Sequence, residues 1–390
     1  MSRRPTPSPS PPPSVGRALP HAVQVIAGTD TPSASTVAHV RSLSAGLVAR
    51  GLRVTVCGPL DPEQRAGFAA DGAGFASAPA RTEPEAVAAL RRACADADLV
   101  HAHGLRAGLL AGLALGGRRR RVPLVVTWHG RGTARGGGVR ERLGALLERR
   151  VARSCDVLLG ATADLVERAR TRGARDARLS PVATARAAGE RPGAERDEER
   201  AERLRHKARA EVGAVDRPLV FSVGRLDAHH AYGAALTAAR GWRAMDPPPL
   251  LAIAGEGGER AALQRRIDEE ALPARLLGRR DDAFDLLAGA DVALLSSAWE
   301  SRSLFAQEAL HRGIPLVATA VGGTPELVGG AAELIPHADP DALSTAVGSL
   351  LADPSRRETL SRAGRARTGQ WPTEDDTLTQ VLSVYDELTE

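Results

Sequence analysis

From residue 21 onward, short and almost unbroken apolar runs alternate with longer stretches whose apolar positions recur at helical spacing. AVQVIAG is followed by STVAHVRSLSAGLVARG and then LRVTVCG; ADLVHAHG, VPLVVTWHG and CDVLLGAT come later, each trailed by a segment of helical period. A short run apolar on both faces suits a strand covered from two sides, and strand, helix, strand in repetition predicts a parallel sheet wound with helices. The pattern lapses between Ala185 and Arg217 into a polar stretch with one expected helix after Arg196. A second series then begins with PLVFSVGRL, PLLAIAGEGG, ARLLGRR, ADVALLSS, IPLVATAVGG and AAELIP. The expected organisation is a proline- and serine-rich disordered tail over 1–20, one Rossmann-like domain over 21–185, a linker with a helix over 186–216, and a second Rossmann-like domain over 217–372. A final helix over 373–390 is announced by the capping-type Thr373 and the acidic residues that follow it.

Composition adds bounds rather than chemistry. At 390 residues the chain is too long for one ordinary core and suits two, of about 150–200 residues each. Its net charge of +5 rests on arginine, because Lys207 is the one lysine present. That balance is compatible with nucleic acid, an anionic membrane surface or phosphorylated substrates; nothing else favours nucleic acid, and none is expected as a partner. Cys57, Cys94 and Cys155 are scattered and odd in number, which speaks against a disulfide framework or a structural zinc site and for a reducing, cytoplasmic setting. The first twenty residues lack an apolar segment after their arginines, so they do not read as a secretory signal, and no apolar run is long enough to span a bilayer.

The stretch WESRSLFAQEALHRGIPLVATAVGG, residues 299–323, places Glu300 and Glu308 eight positions apart. Strand DVALLSS is expected to end near Ser296, leaving Glu300 in a loop. A helix is expected from near Ser303 to Arg312, stopping at Gly313. Ligands of open parallel sheets lie outside the carboxyl ends of the strands, and the N–H groups of a helix N-terminus favour a phosphate there. One carboxylate then precedes that anion site and the other lies about a turn and a half inside the helix. Taken alone, Glu300 is equally a solvated loop residue and Glu308 a surface helix charge.

These residues and their flanks resemble the retaining glycosyltransferases of family 4 (glycosyl transferases group 1), whose GT-B architecture sets two Rossmann-like domains facing each other across a cleft. The family pattern E-S-F-G-L-x-x-x-E-A-M-A-x-G-x-P-V-V-A-T-x-x-G-G-x-P-E is met by Glu300, Leu304 and Glu308, then Gly313, Pro315, LVAT, Gly322, Gly323, Pro325 and Glu326. VTWHG, FSVGRL, LAIAGEGG and LLGRRDD follow the family order, so the likeness runs over nearly the whole chain from about residue 22. It implies a metal-independent transfer of a sugar from a nucleoside diphosphate donor, with no cofactor. By the same likeness Glu300 serves the donor sugar, Glu308 the ribose, and Arg225 the diphosphate; Gly278 and Arg279 lie against the base, Ser303 and Leu304 open the phosphate-binding helix, and His129 points at the sugar. Arg225, Glu300 and His129 form the expected catalytic set. An always-charged guanidinium suits a diphosphate because it can bind two oxygens at once.

The sequence departs from the family at three places. His230 stands where a lysine that neutralises the second phosphate is usual, and is expected to serve the diphosphate in its place; Ala231 follows it where a glycine is usual. Ala34 and Ser35 replace a glycine pair before the first helix, and Ser303 replaces a glycine, where a serine can cap the helix. These changes keep open an alternative: a GT-B protein that has lost transfer and binds a nucleotide, glycan or protein partner. The acceptor, whether glycan, lipid or small molecule, is not specified by the sequence. Arg118–Arg121 and the segment VRERLGALLERRVARS raise one further expectation, contact with the inner face of a membrane. The triplet Asp96-Ala97-Asp98, just before a strand, is not expected to hold a metal.

Overall fold

The computed structural model describes residues 20–27, 34–78, 83–117, 121–131, 139–182 and 196–390. The expected tail, Arg118–Arg120 and most of the loop after His129 lie outside these residues. The first domain contains β1 (His21–Ile26), α1 (Ala34–Ala49), β2 (Arg53–Gly58), α2 (Pro62–Ala70), β3 (Gly74–Ser77), α3 (Glu83–Ala93), β4 (Leu99–His103), α4 (Leu105–Leu115), β5 (Leu124–Trp128), α5 (Val139–Ser154), β6 (Val157–Gly160), α6 (Ala163–Thr171) and β7 (Ala177–Leu179). The second contains α7 (Arg196–Val212), β8 (Leu219–Val223), α8 (Tyr232–Gly241), β9 (Leu250–Ala254), α9 (Arg260–Glu269), β10 (Ala274–Gly278), α10 (Ala283–Leu287), β11 (Val292–Leu295) and α11 (Leu304–Arg312). It continues through β12 (Leu316–Thr319), α12 (Thr324–Val328), β13 (Glu333–Ile335), α13 (Pro340–Ala352) and α14 (Pro354–Thr368), and α15 (Glu374–Thr389) follows.

Both sheets are parallel, in the orders β3-β2-β1-β4-β5-β6-β7 and β10-β9-β8-β11-β12-β13. The order reverses between β1 and β4 in the first and between β8 and β11 in the second, and such switch points open a crevice at the carboxyl ends. Each sheet is covered on both faces. Val23, Val25, Val100 and Val126 pack toward one side of the first sheet, and Ala22, Leu99, Val125 and Val157 toward the other.

Two helices sit elsewhere than the sequence order suggests. The expected linker helix, α7, belongs to the second domain: Arg205 and Arg209 hold Asp291 at 2.6 and 2.9 Å, and Asp291 also accepts the Leu219 N–H at the start of β8. The closing helix, α15, returns to the first domain. Thr373 caps it as expected, with a reciprocal Asp376 bond, and Leu378, Val381, Val384 and Tyr385 bury their side chains with α1 and the first sheet. Each large apolar side chain buried contributes about 1.5–3 kcal/mol before the entropy of ordering is counted, so this face ties α15 to the first domain.

Loops after β5 and β6 meet loops after β11 and β12, so the carboxyl ends of the two sheets face each other. Trp299 donates its indole N–H to Asp164 at 2.8 Å, Arg131 lies 5.4 Å over the Trp299 ring, and the Ala163 N–H donates to Glu326 at 3.1 Å. Gly323 permits the approach, since a Cβ there would lie 2.3 Å from Thr162 Cγ2 of the other domain. Among the described residues no helix is long and apolar enough to cross a membrane.

Candidate functional site

At the switch point of the second sheet, two loops converge. After β8 come Gly224, Arg225, Asp227, His229 and His230; after β11 come Ser296 to Ser303. The Ser296 hydroxyl donates to the His230 carbonyl at 2.7 Å, and the Ala298 N–H donates to the His229 carbonyl at 2.7 Å, which ties the two loops together. The helix after them forms as expected: Ser303 accepts the Ala306 N–H, and Gly313 ends the helix at φ 68°. Its first turn directs backbone N–H groups at the crevice.

Arg225 is exposed and paired with Asp227 at 3.0 Å. Asp227 also receives His230 Nδ1 at 3.0 Å and the His229 N–H at 3.1 Å. Burial pushes the Asp227 carboxyl up, but the His230 and Arg225 contacts outweigh it and hold the group below the usual range. The His230 ring stacks on Tyr232, with centroids 5.8 Å apart and an 8° tilt. It lies directly over Gly224, where a Cβ would meet His230 Cδ2 at 2.4 Å and push the ring aside. Ala231 adopts φ 52° and ψ 36°, a left-handed conformation that glycine takes freely and alanine at a cost of about 1–2 kcal/mol.

Glu300 is half-buried. Burial raises its carboxyl above the usual range, while the Ser297 hydroxyl and His229 pull the other way. Its carbonyl accepts the Gly323 N–H at 2.9 Å, and a Cβ on Gly322 would lie 2.0 Å from that oxygen. Beside it, Ser301 Oγ and Thr324 Oγ1 are buried without a hydrogen-bond partner among the described residues, an arrangement that a bound polar ligand relieves. Gly278 closes β10 at φ 75°, beside Glu256. The neighbouring Arg279 is exposed and pairs with Asp281 at 3.3 Å. Glu308 is half-buried and bonded to Arg312 at 2.5 Å, one turn toward the C-terminus of α11. Arg225, His230, Glu300 and Ser303 are therefore on the two converging loops; Glu308 is further along the helix, with its carboxylate engaged by Arg312.

The first domain presents a group of residues that sequence reasoning had seen only in His129. His101 and His103 project from β4 on the face that α15 covers, and both are buried. His129 Nε2 lies 3.2 Å from His103 Nδ1, and His103 Nε2 lies 2.8 Å from Gln24 Oε1. Gln24 Nε2 donates to the Tyr385 hydroxyl at 2.8 Å, which contacts His101 Nδ1 at 2.8 Å; His101 Nε2 reaches Thr127 Oγ1 at 2.7 Å. With the Gln24 amide so placed, His103 donates through Nε2 and leaves Nδ1 as a lone pair. His39, from α1, packs edge-on against His129 and His103, at centroid distances of 5.2 and 5.7 Å. Burial lowers His39 to about 4 and His101 to about 3, and holds His103 and His129 well below the usual imidazole range. The detectable signal was the strand LVHAH, whose two histidines share one face of a buried strand.

Asp98 accepts the His21 N–H at 2.9 Å and Asp96 holds Arg53 at 2.5 Å. α1 begins at Ala34, which puts Ala34 and Ser35 in its first turn; their side chains lie outside the described residues.

Comparison with known proteins bears on the whole chain. The glycosyl transferase 4-like domain matches residues 36–185, and glycosyl transferases group 1 matches residues 205–367. The chain is 31% identical over 195 residues to a GDP-mannose-dependent α-(1-6)-phosphatidylinositol monomannoside mannosyltransferase of Mycolicibacterium smegmatis, covering 46% of this chain and 51% of that protein. It is 38% identical over 104 residues to an MMP α-(1→4)-mannosyltransferase of Mycolicibacterium hassiacum, covering 26% of this chain and 25% of that protein. The matched region thus spans about half the length of the first relative and a quarter of the second. Among solved structures, HepE of Anabaena in complex with UDP superposes with a TM-score of 0.76 at 18% identity, over 95% of this chain and 100% of that one. Sucrose-phosphate synthase from Thermosynechococcus elongatus superposes at 0.72 and 21% identity, over 95% and 99%. With two facing Rossmann-like domains, each matched by its own half of the family, the chain belongs to the group 1 glycosyltransferases of the GT-B type.

Proposed function

We propose that the protein transfers a sugar from a nucleoside diphosphate donor to an acceptor with retention of anomeric configuration and without a metal in the transfer step. The observation that carries this reading is the convergence, at one switch point, of the loop after β8 that bears Arg225 with the loop after β11 that bears Glu300 and the capped start of α11. As the anomeric C–O bond to the diphosphate breaks, negative charge grows on the leaving oxygens. The helix N–H groups and the Arg225 guanidinium, once it turns from Asp227, stabilise that charge. The acceptor oxygen bonds to the anomeric carbon on the face the diphosphate leaves, and its proton passes to the departing oxygen. Glu300 accepts from sugar hydroxyls, Glu308 from the ribose on release from Arg312, and His129 meets the sugar from the first domain. HepE in complex with UDP-glucose is a structural neighbour, and that supports a nucleotide-sugar donor here.

Titrations with UDP, GDP and their sugars, followed by donor hydrolysis, test the reading. Glu308→Ala is expected to weaken the bare nucleotide by about 1–3 kcal/mol, the range for hydrogen bonds to a charged group. Glu300→Ala is expected to spare the bare nucleotide and weaken the intact donor or its turnover. Equal loss of bare nucleotide in both variants refutes the assignment of the two ends. The lapsed-enzyme alternative draws on the strained Ala231 and on the engagement of His230 by Asp227; donor binding with no hydrolysis or transfer decides for it.

A peripheral membrane contact is proposed for α5, where Val139, Leu143 and Leu146 are exposed beside Arg142, Arg149 and Arg150. Apolar residues backed by arginines suit an anionic interface. Salt-sensitive sedimentation with phosphatidylglycerol-containing vesicles is expected, and its loss in Leu143→Glu assigns it to this helix. Absence of sedimentation removes the membrane from the account.

A further inference from the structure

We propose that His39, His103 and His129 form a binding site for a divalent transition-metal ion of the zinc type on the cleft side of the first domain, and that the ion competes with the donor sugar for His129. The ligand nitrogens of the three lie within 4.8 Å of one another. Around a tetrahedral zinc with bonds of about 2.0–2.1 Å, neighbouring ligand nitrogens are about 3.3 Å apart. His103 Nδ1 and His129 Nε2 already stand at 3.2 Å. His39 completes the triangle by a side-chain adjustment on the order of 1–2 Å, which leaves a fourth position open.

The surroundings suit coordination as well as the spacing does. Histidine ligands usually donate their second ring N–H to a fixed oxygen, which sets the tautomer and orients the ring. His103 has that support: Nε2 faces Gln24 Oε1, the Gln24 amide is held by Tyr385, and Nδ1 is turned toward His129. An all-imidazole set selects zinc, copper, nickel or iron over magnesium or calcium, which prefer oxygen. The site has no link to Cys57, Cys94 or Cys155, which are buried elsewhere, and the metal is not part of the transfer step proposed above. The competition with the donor does rest on that reading, because it requires His129 to face the sugar.

The test uses the full chain stripped with a chelator. Cobalt is titrated first, then zinc against a chromophoric chelator. One equivalent of cobalt with the intense visible bands of tetrahedral coordination, displaced by zinc, is expected. His39→Ala and the more conservative His39→Gln are each expected to lower zinc affinity tenfold or more, given that even outer-shell changes cost about 10–100-fold. Their thermal melts verify that they fold. Zinc affinity unchanged in both variants overturns the site, because binding then belongs to surface pairs such as His206 with Glu202 or His230 with Asp227. For the competition, a nucleotide sugar is titrated with zinc present into wild type and His39→Ala, the pair correcting for chelation by the diphosphate. Weaker donor binding in the wild type alone supports it, and equal binding overturns it. Failure of every donor to bind the metal-free protein counts against the proposed function, while the cobalt and zinc results still decide the metal site.

Discussion

Arg225→Ala is expected to lower donor turnover by two to three orders of magnitude. A single preorganised group that stabilises charge developing in a transition state is worth about 10²–10³ in kcat when removed, and Arg225 is the cation nearest the end of β8 on the converging loops. Arg225→Lys keeps the charge but loses the two-pronged geometry, so it is expected to recover only part of the rate. Bare nucleoside diphosphate should also bind more weakly to Arg225→Ala, whereas the melting temperature should stay close to wild type, because the side chain is 80% exposed. Hydrolysis of a nucleotide sugar, followed as kcat/KM, is the measurement. A rate within threefold of wild type would remove Arg225 from the chemistry and leave the α11 N-terminus without its partner.

Tyr385 carries the second large effect, this time on stability. Tyr385→Ala removes a buried ring, for which about 3–5 kcal/mol is usual. Tyr385→Phe keeps the ring but strips the hydroxyl from between Gln24 Nε2 and His101 Nδ1. Each buried polar group left without a partner costs about 1–3 kcal/mol, so phenylalanine should recover the ring's packing and still lose the cost of two such groups. Urea unfolding followed by circular dichroism gives both numbers. A phenylalanine variant as stable as wild type would mean that the network is optional and that packing alone holds α15.

Local pattern carried most of the architecture. All six strands of the second sheet stand out as apolar runs, as do five of the seven in the first, because parallel strands covered on both faces are apolar throughout. The missed pair, β3 and β7, are edge strands of four and three residues, partly exposed and without such a run. The bounds of α11 were also legible, since a serine cap and a left-handed glycine act within a few residues of their own positions. What escaped was contact across long separations. Nothing near Gln24 points to Tyr385, and nothing near Arg205 says that it will hold Asp291. The histidine cluster was missed for the same reason: its members come from α1, β4 and the end of β5, and only the fold brings them together. At Glu308 the family likeness supplies a role, whereas the structure supplies a neighbour, Arg312, that any ribose must displace.

The return of α15 to the first domain also bears on how the protein is made. Gln24 meets its hydrogen-bond partner 361 residues further along the chain, which at about 5–20 residues per second is on the order of 20–70 s of synthesis. Throughout that interval the face of the first sheet bearing His101, His103 and Gln24 has no cover from α15. The second domain, from α7 to α14, is one continuous stretch and has all its own strands before α15 emerges from the ribosome. The domain begun first is thus the one finished last, since its sheet keeps an open face until α15 arrives, after every strand of the second domain has been made.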